Sequence, residues 1–67
     1  MNKNLLRFFM GEHGDNQSTL AKAINMSQSA LSERMNGKID FRKNEMEAIR
    51  KRYELNAEDM QAIFFAS

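Results

Sequence analysis

Five polar side chains lie close together in one stretch of this 67-residue chain: Gln28, Ser29, Ser32, Glu33 and Asn36. If residues 28–36 wind into a helix, these side chains gather on its outward face, because positions three and four apart are neighbours. Their groups donate and accept hydrogen bonds; none is an evident nucleophile. The Gln28 amide sets a donor beside an acceptor, the pattern that complements N6 and N7 of adenine. Ser29 and Ser32 can meet a base edge or a phosphate with little discrimination. Glu33 can accept from cytosine N4, or it can turn toward Arg34 or a neighbouring helix.

Such a face needs support from behind. Leu31 and Met35, four apart, supply the apolar side of this helix, and Ser27 suits its N-cap. The preceding stretch, from Gln17, carries Leu20, Ala23 and Ile24 at helical spacing behind an Asn16 cap. Ala21 leaves room for a second helix to cross closely. Asn25 tolerates positive φ and can end the first helix, with Met26 filling the elbow. The pattern is therefore two short helices joined by a tight turn.

The flanks read as three more helices. The first spans about Lys3–Glu12, with Leu5, Leu6, Phe9 and Met10 inward, Phe8 at its edge, and Gly14 closing it. After Asn36-Gly37-Lys38, Ile39 and Phe41 are expected to anchor a loop, with Asp40 capping the next helix. That helix runs from Arg42 or Lys43 to Tyr53, with Met46, Ile49 and Tyr53 inward. Glu47 and Lys51 form a favourable i, i+4 pair, and Arg50, Lys51 and Arg52 suit the C-terminal dipole. Leu55 anchors the last connection. Asn56-Ala57-Glu58-Asp59 is a capped helix start, and the fifth helix extends to about Phe65 with Met60, Ile63 and Phe64 inward. The expectation is one all-α domain of five helices over residues 1–67. A domain this small has a marginal core, and six Met and five Phe carry much of the apolar load.

Composition narrows the function. There is no cysteine and only one histidine, His13. Thiol chemistry is thus absent, and the sequence shows neither paired metal-ligand spacing nor a Gly-rich phosphate loop. No catalytic or metal site and no cofactor is implied, and the chain does not read as an enzyme. Arg7 interrupts the apolar run at the start, so a helix is expected there rather than a signal sequence. The net charge is only +1, but it is unevenly spread. Arg34, Lys38, Arg42, Lys43, Arg50, Lys51 and Arg52 make the middle basic, whereas the last stretch carries only Glu54, Glu58 and Asp59. A basic face turned to phosphates and acids turned away suits a polyanionic partner; a solvated helix surface is the plainer alternative.

Residues 17–38 resemble the helix-turn-helix of the Cro and phage-repressor (lambda-repressor-like) family. Gln17 at the start, Ala21 in the fifth place, Ser27-Gln28-Ser29 opening the second helix and Asn36-Gly37-Lys38 after it carry the resemblance. It extends from about Leu6 to Phe65 through the five-helix layout. It implies that the second helix lies in the DNA major groove. It further implies base contact by Gln28, with Ser29, Ser32 and Glu33 on the same face. Gln17, Asn36, Lys38, Arg42 and Lys43 then meet phosphates, and Ser27 does so secondarily. Arg34 stands where the family usually has an apolar residue; its stem can cover Leu20 or Ala30 while its guanidinium reaches a phosphate. The family often pairs an Arg at the Met10 position with a Glu at the Met35 position. Both are Met here, so an apolar contact is expected instead of that ion pair.

The resemblance points to a cytoplasmic, sequence-specific regulator that binds a palindromic double-stranded DNA operator, as a weak homodimer tightened on DNA. Its pairing surface is expected at the end of helix 4 and in helix 5, where Phe64 and Phe65 otherwise complete the bundle. The alternative is a helical protein-interaction module, an antirepressor or antitoxin-like partner, on the same fold. No membrane or small-molecule substrate is implied.

Overall fold

A computed structural model describes residues 1–66. Among them the regular structure is entirely helical: α1 Lys3–Glu12, α2 Gln17–Ala23, α3 Gln28–Met35, α4 Lys43–Tyr53 and α5 Ala57–Phe64. The five-helix, all-α expectation holds, and α5 stops one residue short of Phe65. No helix among the described residues is long and apolar enough to cross a membrane.

Side-chain caps start four of these helices. Asn2, Asn16, Ser27 and Asn56 each accept from a backbone N–H three residues on: Leu5 at 3.1 Å, Thr19 at 2.9 Å, Ala30 at 3.1 Å and Asp59 at 2.8 Å. Thr19 and Asp59 return the bond to the N–H of Asn16 and Asn56, so two backbone donors are satisfied at each of those starts. The start of α4 differs from expectation. Asp40 does not cap it; the Arg42 N–H donates to Glu45 Oε1 at 2.8 Å from inside the first turn.

The ends of α1 to α4 share one device. A residue with positive φ follows each helix: Gly14 (71°), Asn25 (62°), Gly37 (79°) and Glu54 (52°). The next N–H reaches back five residues in every case: Asp15 to Met10, Met26 to Ala21, Lys38 to Glu33 and Leu55 to Arg50, all at 2.8–3.0 Å. This closure satisfies the otherwise unpaired last carbonyls and turns the chain sharply. It allows five helices of seven to eleven residues to be folded onto one centre.

That centre is Leu6, Met10, Leu20, Ala21, Leu31, Met35, Ile49, Tyr53, Leu55 and Ile63. Met10 and Met35 are 3% and 2% exposed and belong to the same core. α2 packs on α3 and α1 on α5, and the Asn2 N–H donates to the Ile63 carbonyl at 2.7 Å. Two apolar expectations fail. Ile39 is 44% exposed, so the loop after α3 does not close over it, whereas Phe8, expected at the edge, is 57% exposed against Phe9. Ala23 is exposed as well, and Ala21 takes the buried place in α2.

Met35→Ala should cost about 2–5 kcal/mol in urea unfolding, the range for truncating a buried Met; a loss below that range would show that Met35 does not brace α3. Glu54→Gly should raise stability by up to about 1 kcal/mol. The left-handed backbone costs an L side chain roughly 1–2 kcal/mol, and the looser unfolded chain offsets part of the gain.

Candidate nucleic-acid interface

The face of α3 opposite Leu31 and Met35 is open. Gln28, Ser29 and Glu33 are exposed, Ser32 is half-buried, and α3 is regular from its Ser27 cap to Met35. Because Leu31 and Met35 are anchored in the core, helical periodicity turns Ser29 and Glu33 outward, Ser32 lies at the border of that face, and Gln28 is exposed as the first residue of α3. The Asn36 amide donates to Ser32 Oγ at 3.3 Å, and Asn36 Oδ1 accepts from Lys3 Nζ at 3.4 Å. Lys3 thereby comes to the end of α3 from the far side of the chain. A contact between residues 33 positions apart leaves no periodic signal in the sequence.

Lys38, Arg42 and Lys43 are exposed on the segment that leaves α3. Among the described residues none of the three is in an ion pair. Glu33 is exposed and does not pair with Arg34, whose partner is Glu45. Ser27 accepts the Ala30 N–H, as a cap should, and stays exposed.

Two residues expected at phosphates are placed differently. Arg34 turns inward: Nε donates to Glu45 Oε1 at 2.9 Å, and Nη1 to the Ala30 carbonyl at 3.2 Å. The two charged side chains are 10% and 11% exposed. Burial alone would push the Glu45 carboxyl up, but the Arg42 N–H and the Arg34 guanidinium together hold it below the usual range. Arg34 is thus a brace from α3 to the first turn of α4, and its ion pair supplements the apolar Met10 and Met35. Gln17 is half-buried, and its amide rests against the Met35 sulfur at 3.7 Å. It links the start of α2 to the foot of α3.

A second polar cluster was not anticipated. Asp15, in the α1–α2 connection, has a carboxylate only 4% exposed. Arg52 grips both oxygens, Nε to Oδ2 at 2.7 Å and Nη2 to Oδ1 at 2.8 Å. The Tyr53 hydroxyl donates to Oδ2 at 2.7 Å and Thr19 Oγ1 to Oδ1 at 3.0 Å. The Arg52 guanidinium holds the Asp15 carboxyl far below its ordinary 3.8, against burial and with help from both hydroxyls. Burial first, and then the Asp15 acceptor, raises the Tyr53 phenol. The His13 ring lies against Tyr53, tilted at 46° with ring centroids 4.8 Å apart. Arg52, expected only to complement the helix dipole, therefore ties α4 to the start of α2. Likewise Glu47 pairs with Arg50 rather than with Lys51.

These pairings sort the charges. The carboxylates of Asp15, Glu45 and Glu47 each hold an arginine, and the cations without a partner include those beside α3. Chemically the face can donate and accept at an edge and attract anions along its border. No family model, curated protein or solved structure matches the chain.

The Asp15 cluster yields a pH test. A carboxyl depressed on folding stabilises fully above its unfolded value, near 3.8, and that contribution is lost as pH falls toward the folded value. Asp15→Asn should lower stability at neutral pH by about 1.5–3 kcal/mol. The gap from wild type should narrow steadily as pH drops from about 4 toward 2. A gap independent of pH in that window, by chemical denaturation, would remove the ionised Asp15 from the stability account.

Proposed function

We propose that this chain is a sequence-specific, double-stranded DNA-binding regulator of the helix-turn-helix kind, similar to the small Cro and phage-repressor proteins. It reads an operator with α3 in the major groove and represses by occupying the site. Such a protein works in the cytoplasm on the host nucleoid, two copies to a palindromic site.

The observation that carries this reading is the division of α3. Leu31 and Met35 are 0% and 2% exposed, while Gln28, Ser29 and Glu33 face solvent beside the unpaired cations Lys38, Arg42 and Lys43. Side chains that donate and accept hydrogen bonds, bordered by cations that hold no carboxylate, suit an anionic partner with polar edges. In the proposed complex Gln28 meets adenine, and Ser29 and Ser32 meet bases or the groove wall. Glu33 selects against bases that present only acceptors. Lys38, Arg42, Lys43 and Asn36 follow the sugar-phosphate backbone, and Ser27 adds a minor contact. Arg34 acts from behind by fixing α3 to α4.

Selection from a random duplex pool should recover a two-fold sequence. Binding should fall steeply with salt, with a log–log slope of about −0.9 for each phosphate neutralised. Lys38→Ala should weaken all sequences about equally and reduce the slope by about 1. Gln28→Ala should instead relax preference at one position by about 1–3 kcal/mol and leave the slope unchanged. Failure to bind any duplex at low salt would end this reading.

A further inference from the structure

Lys3 opens α1, the end of a helix where a cation opposes the dipole, and no acid stands in that first turn to offset it. Among the described residues its charge meets no carboxylate. Its place is nonetheless fixed. Asn2, beside it, caps α1 at the Leu5 N–H and donates its own N–H to the Ile63 carbonyl at 2.7 Å, so the start of α1 is pinned to α5. From there the ammonium reaches across 33 positions to the end of α3, Nζ donating to Asn36 Oδ1 at 3.4 Å. Asn36 is held in turn. Its backbone N–H donates to the Ser32 carbonyl at 2.9 Å, and its side-chain amide donates to Ser32 Oγ at 3.3 Å.

An ammonium can only donate, so this contact sets the direction of every bond that follows. The Asn36 oxygen faces Lys3, the amide nitrogen faces Ser32, and Ser32 Oγ accepts. Each of these side-chain oxygens thus already takes one bond. The hydrogens still free are those left on the ammonium, the second amide hydrogen of Asn36 and the Ser32 hydroxyl proton, which has no acceptor among the described residues. Lys3 and Asn36 are exposed and Ser32 is half-buried, so these donors can meet a partner. Lys38 follows two residues beyond Asn36.

We propose that Lys3, Asn36 and Ser32 form one oxyanion site at the end of α3, and that it holds a backbone phosphate of the duplex. The site rests on the DNA reading and adds α1 to the surface that touches the partner. A phosphodiester carries acceptor oxygens and one negative charge, which answers a row of donors headed by one cation. A base edge would leave the ammonium without a counter-charge. A carboxylate on a protein partner offers similar oxygens; the duplex is favoured because the row abuts the polar face of α3 and Lys38. Lys3 therefore does two things: it neutralises the phosphate, and it keeps the Asn36 amide turned so that a donor faces outward.

Duplex affinity across a salt series is the test, with Lys3→Ala, Lys3→Gln and Lys3→Arg beside wild type. Lys3 is exposed, so circular dichroism and thermal midpoint should stay unchanged in all three. Lys3→Ala should weaken every sequence alike and reduce the magnitude of the log–log slope by about 1, so that its gap from wild type closes about tenfold for each tenfold rise in salt. Lys3→Arg should retain the slope. Lys3→Gln keeps a donor for Asn36 without the charge, and its slope should fall as in Lys3→Ala; a side chain that only braced α1 against α3 would be rescued by it. Lys3→Gln carries the test alone if Lys3→Ala loses stability. The side-chain amide resonances of Asn36 should move when duplex is added to wild type. A wild-type slope in folded Lys3→Gln, or Asn36 amide resonances that stay in place, would overturn the inference and leave the DNA reading standing. A wild-type protein that binds no duplex at low salt would remove both.

Discussion

The burial of Leu31 and Met35 is the contact on which the rest of this structure turns. Both side chains come from one helix of eight residues, and both are withdrawn almost completely from water. An isolated helix of this length is not stable, because the few hydrogen bonds it closes do not offset the cost of nucleating it. The α3 helix therefore exists only while its apolar side is packed among α1, α2 and the C-terminal helices. The same packing fixes which way the helix is rotated. Once two positions four apart are held inside, Ser29 and Glu33 have no other direction to face.

Three clamps of different chemistry hold that rotation. Met10 and Met35 supply apolar contact without directional demands. Arg34 and Glu45 add a directional bond between α3 and α4 in a mostly dehydrated place. Asp15 gathers Arg52, Tyr53 and Thr19, joining the end of α4 to the entry of α2. Ion pairs removed from water are strong only when their remaining hydrogen-bonding capacity is also satisfied. Both clusters meet that condition: no buried side-chain nitrogen or oxygen among the described residues lacks a partner. Polar groups thus do here what a larger apolar core does in a larger domain.

The same pairings shape the outer surface. Each arginine drawn into a clamp is committed to one carboxylate, and each carboxylate it neutralises stops opposing the cations nearby. Lys38, Arg42 and Lys43 are left as the charged border of α3.

Much of this architecture was legible in local sequence, because its causes are local. Asn16, Ser27 and Asn56 bond backbone groups three residues away, and Gly14, Asn25 and Gly37 adopt positive φ for reasons of their own size and polarity. The period of Leu31 and Met35 announces a buried stripe, and with it the outward face at Ser29 and Glu33. Glu54 carried no such signal, since nothing in its chemistry favours a left-handed backbone. Neither did the exposure of Ile39 or the inward turn of Arg34. The partnerships of Asp15 with Arg52, Glu45 with Arg34 and Lys3 with Asn36 cross 37, 11 and 33 positions. Charge attracts any opposite charge within reach. Which carboxylate an arginine finds is therefore decided only when packing brings one of them near, and no property of the arginine itself records the choice.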